Sequence, residues 1–140
     1  MTAPMALDNS ATPQLGSRWD RFAASLCLTL ATWLLRLRFG HVLAIVGQIK
    51  RACPREADAT EAAHMNAAIR LAGRHRSNRV ACMEVSLGTV LLAAARRLSV
   101  DWCIGARLMP YGAHAWIEVD RTPIGEPDTR DRPYQLLRRI

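Results

Sequence analysis

The chain has 140 residues, of which 50% are hydrophobic and 22% charged, and its formal net charge is +7. This composition is that of a single globular domain and excludes a wholly disordered chain. Residues 1–70 hold eight basic and five acidic residues, and residues 71–140 hold eleven and seven, so the charge has no basic tail and does not indicate a nucleic-acid partner.

The first half of the chain is predicted to be helical after a short leader. Residues 1–16 contain two prolines and a glycine among small polar residues, which predicts a flexible N-terminal segment. Residues 17–75 form a helical region, and their most apolar part is 22–48. Arg36 interrupts this part after 14 uncharged residues, whereas a membrane span needs about 20. We therefore expect a buried helix, with contact to a membrane surface or a partner protein as the alternatives.

Two further helices are predicted after Gly40. One runs from His41 to Arg51, and the next covers residues 54–73 because Pro54 suits a first helical turn and Gly73 suits the residue after a helix. A basic linker, residues 74–81, then precedes a helix over residues 82–98. This last helix carries small residues at helical spacing, which favours close packing on a sheet.

The remainder of the chain alternates at period two and predicts strands. Residues 101–109 and 113–120 alternate between apolar and other side chains around a Pro-Tyr-Gly turn, which is typical of an antiparallel hairpin. A short strand over 122–125 follows, and residues 133–140 are predicted as a last turn of helix. Residues 76–140 thus form a second region of the molecule.

The four cysteines do not have the spacing of a zinc site, since no two are separated by two or four residues. No secretory signal precedes them, because the apolar run begins only after Asp8 and Asp20. We therefore expect a cytoplasmic protein with free thiols and without a metal or cofactor.

One combination of residues suggests chemistry. Cys82 begins a predicted helix, and the N-terminus of a helix stabilises a thiolate. His114, on the second strand of the hairpin, can accept the thiol proton and return it to a leaving amine. A third group must orient the imidazole. By geometry Glu126 and Asp128 suit this role equally well, because a turn before them can return the chain beside His114, whereas Glu118 and Asp120 lie too far along the same strand.

The same residues resemble a known family. The segment Cys82-Met-Glu-Val-Ser-Leu-Gly, the stretch WCIGARLMPYGAHAWIEVD and the closing PIGEPD are similar to the lasso peptide leader peptidases, which are transglutaminase-like cysteine proteases. The resemblance covers roughly residues 76–130. It implies an α+β fold in which a helical N-terminal region packs on a small transglutaminase- and papain-like core, with a catalytic helix and an antiparallel sheet.

The resemblance also implies an activity and its residues. Such enzymes cut the leader from a ribosomally made precursor peptide, which a separate leader-binding protein presents, and a lasso cyclase then closes the ring. Cys82 matches the nucleophile, His114 the base and Glu126 the acid, for which the family usually has Asp; Asp128 is the fallback. We assign Trp116 to substrate binding, with shielding of the imidazole as the alternative.

Two other functions compete with the peptidase. A non-catalytic transglutaminase-like scaffold would need neither Cys82 nor His114. A nucleic-acid-binding protein would show clustered arginines with interleaved aromatic residues, and this pattern is absent from the sequence. The sequence also departs from the family at two turns: Arg121 stands where Gly often follows the Asp, and the loop over residues 97–100 has no Gly.

Overall fold

The computed structural model describes residues 18–74, 82–108, 111–125 and 135–140. Within these ranges the helices are α1 (Arg18–Leu34), α2 (Phe39–Ala52), α3 (Ala59–Arg74) and α4 (Cys82–Ala95). The strands are β1 (Arg55–Glu56), β2 (Leu98–Ser99), β3 (Asp101–Leu108), β4 (Tyr111–Val119), β5 (Thr122–Ile124) and β6 (Gln135–Arg139). The predicted α+β fold class is confirmed.

Helix α4 lies at the centre of the molecule. Most of its residues after the first turn are buried, because α1 and α3 pack on one side of it and the sheet packs on the other. Gly88 marks the closest approach: a Cβ atom built on it would lie 3.2 Å from Ile69 Cγ2 of α3 and 3.5 Å from the Leu28 Cα of α1. A helix that is apolar on all sides is stable only when it is enclosed in this way.

The larger sheet has the strand order β5-β4-β3-β6. Strands β3 and β4 form the predicted hairpin, paired without interruption from Asp101 and Glu118 to Leu108 and Tyr111. Trp102 and Ile117 are opposite each other on the face that joins the core with α4. The Trp102 Nε1 donates a hydrogen bond of 2.9 Å to Ser86 Oγ, which fixes the position of the sheet along the helix.

The apolar stretch 22–48 is only partly buried, so the expectation of a buried helix holds for one of its faces. Its first helix ends at Leu34, and the second begins at Phe39, before the predicted break at Gly40. In α1 only Ala24, Cys27, Leu28 and Ala31 are buried, and its large aromatic residues are exposed.

Helix α3 begins later than the sequence pattern predicts. Asp58 accepts a hydrogen bond of 2.8 Å from the backbone N–H of Glu61, which is the interaction of a helix N-cap. The residues between Pro54 and Asp58 instead pair as β1 with the parallel β2. This cap, rather than Pro54, sets the first turn.

The predicted C-terminal helical turn is wrong. Residues Gln135–Arg139 form β6, antiparallel to β3. Beyond it, Ile140 and Trp102 exchange two backbone hydrogen bonds of 3.0 Å each. Strand β3 pairs with β4 along one edge and with β6 along the other. Without β6, the second edge would expose a row of unpaired backbone N–H and C=O groups, which is costly in a largely buried strand.

Some predictions fall outside the described residues. These are the flexible segment 1–16, the boundary between residues 75 and 76, and the two candidate acids, Glu126 and Asp128. In the part of the chain that is described, no helix combines the length and the hydropathy needed to cross a bilayer.

Candidate functional site

Cys82 is the first residue of α4, and its free thiol is half-buried. The first backbone N–H groups of a helix have no acceptor within the helix, and together they carry a partial positive charge. Catalytic cysteines are often found at this position of a helix.

The Ser86–Trp102 hydrogen bond shows which residue of α4 stands beside which residue of β3, and the position of Cys82 along the length of the strands follows from it. Only a short connection that contains β2 separates α4 from β3, and we take the two elements to run antiparallel. Cys82 lies one turn before Ser86, about 6 Å along the helix axis. Two residues of β3 cover about the same distance, which on this basis puts Cys82 near the level of Ile104, on the α4 side of the sheet. Ile104 pairs with Ala115, the neighbour of His114.

His114 is half-buried and lies in the first half of β4, opposite Gly105 of β3. Because side chains alternate along a strand, His114 and Trp116 lie on the face opposite Ile117, which faces α4. Strand β5 pairs only with Ile117–Val119. Among the described residues, therefore, the side of β4 near His114 that faces away from β3 has no paired strand.

Trp116 holds the imidazole on one side. The two rings have centroids 5.8 Å apart and an angle of 20° between their planes. The indole lies across Gly105: a Cβ atom at Gly105 would be 2.7 Å from Trp116 Cη2. Trp116 itself is only 8% exposed, and its role in substrate binding, or alternatively in shielding the imidazole, stays a prediction.

Glu118 fixes the indole from the other end. Its Oε1 accepts a hydrogen bond of 2.9 Å from Trp116 Nε1, and its Oε2 accepts one of 2.6 Å from Arg139 of β6. Burial disfavours the charged form of Glu118, but the hydrogen bonds from Trp116 and Arg139 outweigh this effect, and the pKa of Glu118 is lowered. The carboxylate is therefore charged at neutral pH.

Cys103 lies beside this carboxylate, on the same face of the sheet, and is fully buried. Burial, followed by the charge of Glu118, raises the pKa of Cys103 to about 12. Burial also raises the pKa of the Cys27 thiol. Burial therefore favours the neutral form of both thiols, which is less nucleophilic than a thiolate.

The structure brings together some of the predicted site residues. The rings of His114 and Trp116 are stacked. Cys82 begins α4, whereas His114 leaves β4 on the face opposite that helix. The third residue of the predicted triad, Glu126, lies outside the described part of the chain together with Asp128. Of the acids considered too distant, Asp120 is exposed in a turn, and the Glu118 carboxylate is bonded to Trp116 and Arg139.

Sequence reasoning missed the support behind the histidine, which consists of Gly105, Glu118 and Arg139. For two of these residues, the amino-acid sequence contains a feature that could have predicted the role. Glu118 has the same parity as His114 and Trp116 and therefore faces the same side, and a glycine within a strand marks a close approach. The sequence contains none for Arg139, because its strand was predicted as helix.

The described residues contain no group of three metal-ligating side chains. The arrangement instead suits covalent chemistry: a thiol at a helix N-terminus and an imidazole on a neighbouring strand, with backbone N–H groups available to an oxyanion.

Comparison with models of known families assigns the domain to a superfamily. A family model described as the transglutaminase-like superfamily matches residues 24–139. Neither the curated proteins nor the solved structures gave a match.

Proposed function

This chain belongs to the transglutaminase-like superfamily, and we propose that it is a cysteine peptidase that removes the leader from a ribosomally made lasso precursor peptide. The superfamily includes cysteine proteases. The lasso substrate is supported by the resemblance of the Cys82 segment, the hairpin and PIGEPD to the leader peptidases. A separate leader-binding protein would present the precursor, and a lasso cyclase would use the product.

One observation carries the proposal. Cys82 begins the central helix of a transglutaminase-like domain, and this helix packs on β4, the strand that carries His114. A nucleophile and its base must lie within hydrogen-bond reach of each other, although this contact is often loose without substrate. Packing of α4 on β4 keeps the two residues on adjacent elements, which such a contact requires.

The reaction follows from these groups. The Cys82 thiolate attacks the carbonyl carbon of the bond between leader and core, and the backbone N–H of Cys82 is a donor for the resulting oxyanion. The bond to nitrogen breaks, and the His114 imidazolium protonates the leaving amine of the core peptide. A water molecule, deprotonated by His114, then hydrolyses the thioester and releases the leader carboxylate. Glu126, or Asp128 in its place, would orient the imidazole.

A non-catalytic scaffold remains the second candidate because of one observation. The His114 side chain leaves β4 on the face opposite α4, so it must reach Cys82 around the strand rather than directly. A scaffold would not need this contact. The two functions are separated by whether peptide-bond cleavage depends on the thiol.

The test is cleavage of a lasso precursor peptide, followed by mass spectrometry, with the leader-binding protein present. We expect release of the leader by the wild-type protein and a loss of at least about a thousandfold in Cys82→Ala and His114→Ala, as for other enzymes that lose a nucleophile or base. Cys53→Ala and His64→Ala remove the same side chains from half-buried and exposed positions elsewhere and should retain activity.

The result can contradict either part of the proposal. Equal cleavage by the wild type and Cys82→Ala would exclude the thiol mechanism. Precursor binding without cleavage, at equal strength in all four variants, would favour the scaffold. Where cleavage is seen, Glu126→Gln and Asp128→Asn identify the third residue: the substitution with the larger loss marks the acid.

A further inference from the structure

Helix α1 carries its large apolar side chains on the outside. Trp19, Phe22, Leu26, Leu30 and Trp33, here called the α1 stripe, recur three or four residues apart, which places them on one face of the helix. Each is between 47% and 78% exposed. The opposite face, of smaller residues, packs on α3 and α4. Large apolar side chains that are exposed together on one face of a helix mark a site of interaction.

Positive charge lies at both ends of the α1 stripe. Arg18 and Arg21 are exposed in the first turns of the helix, and Arg36 and Arg38 are exposed just after it. The Arg36 guanidinium lies 4.4 Å from the centre of the Trp33 ring. Within α1 the acidic residue is Asp20, which pairs at 3.0 Å with Arg96, an exposed residue just after α4, so the charge beside the stripe is positive.

This distribution of charge disfavours a second copy of the chain as the occupant. Two stripes packed in parallel would place each pair of arginines beside the same pair. An antiparallel arrangement would place Arg18 and Arg21 beside Arg36 and Arg38. In both orientations like charges meet at the two ends of the interface, which disfavours the pairing.

We propose that α1 lies flat on the surface of an anionic membrane, with the α1 stripe inserted among the acyl chains. Helices of this kind combine Trp, Phe and Leu on one face with arginines beside it. Trp19 and Trp33 are about 21 Å apart along the axis and stand at the two ends, where arginines can extend to lipid phosphates. The exposed Leu37 and Phe39 continue the apolar surface beyond α1.

A membrane fits this surface better than a protein partner does. The stripe projects from a single convex helix, and an anionic bilayer supplies both an apolar interior and a layer of negative charge. The inference is independent of the proposed peptidase activity, because none of its residues belongs to the candidate site.

The experiment is sedimentation of the full chain with lipid vesicles at low salt. Vesicles of phosphatidylcholine are compared with vesicles that also contain phosphatidylglycerol. We expect binding to the anionic vesicles, together with a blue shift of tryptophan fluorescence. The Phe22→Ser/Trp33→Ser variant should bind at least about tenfold more weakly. The Arg18→Gln/Arg36→Gln variant should lose about tenfold of the preference for anionic vesicles.

Matched controls separate the surface from general effects. Leu136→Ser/Leu137→Ser removes two exposed apolar side chains from β6, and Arg74→Gln removes an exposed charge from α3; both should bind like the wild type. All these positions are exposed, so the melting temperatures should agree.

Several outcomes would overturn the proposal. Failure of the wild type to bind vesicles would do so, as would equal binding to neutral vesicles. A wild-type dimer that the Phe22→Ser/Trp33→Ser variant dissociates would show that a second copy covers the stripe. Loss of binding to the leader-binding protein in that variant, without vesicle binding by the wild type, would show a protein partner instead.

Discussion

The His114 imidazole is supported by an indole that lies where β3 has no side chain. Gly105 stands opposite His114 in the hairpin, and the ring of Trp116 occupies the space above it. Because the indole also stacks on the imidazole, the missing side chain at Gly105 and the orientation of His114 are linked.

We expect Gly105→Ala to destabilise the protein. The new Cβ would lie 2.7 Å from both Trp116 Cη2 and the backbone oxygen of Gln135, so either the indole or β6 must move. Overpacking of this kind costs about 1–3 kcal/mol. Denaturant unfolding measures this loss, and a change in near-UV circular dichroism would report the displaced indole.

Gly40→Ala is the matched control. Gly40 lies near the start of α2, and a Cβ atom there would have no other atom within 4 Å. Alanine is the better helix former by up to about 1 kcal/mol, so this variant should be as stable as the wild type or more stable. If the two alanine variants lost the same stability, crowding at Gly105 would not be the cause.

Glu118 makes the stability of the fold depend on pH. Its pKa is lowered in the folded protein, so its stabilising contribution is complete above the unfolded pKa of about 4.3 and is lost as the pH falls through the lower, folded-state pKa. We expect Glu118→Gln to cost about 1–3 kcal/mol at pH 7. This difference from the wild type should shrink in acid, as urea unfolding between neutral pH and pH 3 would measure.

Glu61→Gln serves as the comparison, because Glu61 pairs with Arg55 at 3.2 Å on the surface. Exposed ion pairs of this type contribute about 0–1 kcal/mol. A Glu118→Gln difference that remained the same at pH 3 and pH 7 would show that the charge of Glu118 does not stabilise the fold.

At the scale of the elements, two tight turns are made by arginines in left-handed conformations. Arg97 lies two residues after the end of α4 and has a φ of 59°. This is the position at which glycine commonly terminates a helix. Asp120 and Arg121 connect β4 to β5 with φ of 54° and 61°, and positive φ at both residues is the requirement of a type I′ hairpin turn. Asp tolerates this conformation, whereas Arg is strained in it.

We therefore expect Arg121→Gly to stabilise the protein by up to about 1 kcal/mol. Arg97→Gly should act in the same direction for the same reason. Arg121→Ala keeps the Cβ atom that causes the strain, so it controls for loss of the arginine side chain. Thermal unfolding would decide the question: an Arg121→Gly variant no more stable than Arg121→Ala would mean that the turn is not strained.

The element pattern was predictable where local periodicity and burial agree. Strands β3 and β4 show a period of two, and α4 is mostly apolar with small residues at helical spacing, so all three were located from the sequence within a few residues. The last strand was not, because Gln135–Arg139 has no alternating burial: all five residues are exposed. Its conformation comes from pairing with β3, from which it is separated by about thirty residues of chain, and no local pattern contains such a contact.

The candidate site was predictable only in part. The resemblance pointed to Cys82 and His114, and the hairpin register then placed Trp116 beside the histidine. The roles of Gly105 and Arg139 depend on which atoms meet across three strands, which requires the register itself. In the same way, composition showed that residues 22–48 are apolar, but not that the aromatic residues of α1 face outward.

At the scale of the whole molecule, the two predicted regions share one core. Helix α4 belongs to the second region, yet Leu28, Met65 and Ile69 of the first region are fully buried in the same core. Burying each of these side chains contributes about 1.5–3 kcal/mol. Their sum is comparable with the stability of an entire domain, about 5–15 kcal/mol.

We accordingly expect that a fragment of residues 76–140 does not fold alone, although it contains Cys82, His114 and the sheet. Without α1 and α3, one side of α4 would be exposed to water. A helix with apolar residues on all sides is not stable when one side is exposed in this way. Circular dichroism and urea unfolding of the fragment should show no cooperative transition, and adding residues 1–75 as a separate peptide should restore one. A cooperative transition in the fragment alone would instead make the helical region an accessory to an independent catalytic unit.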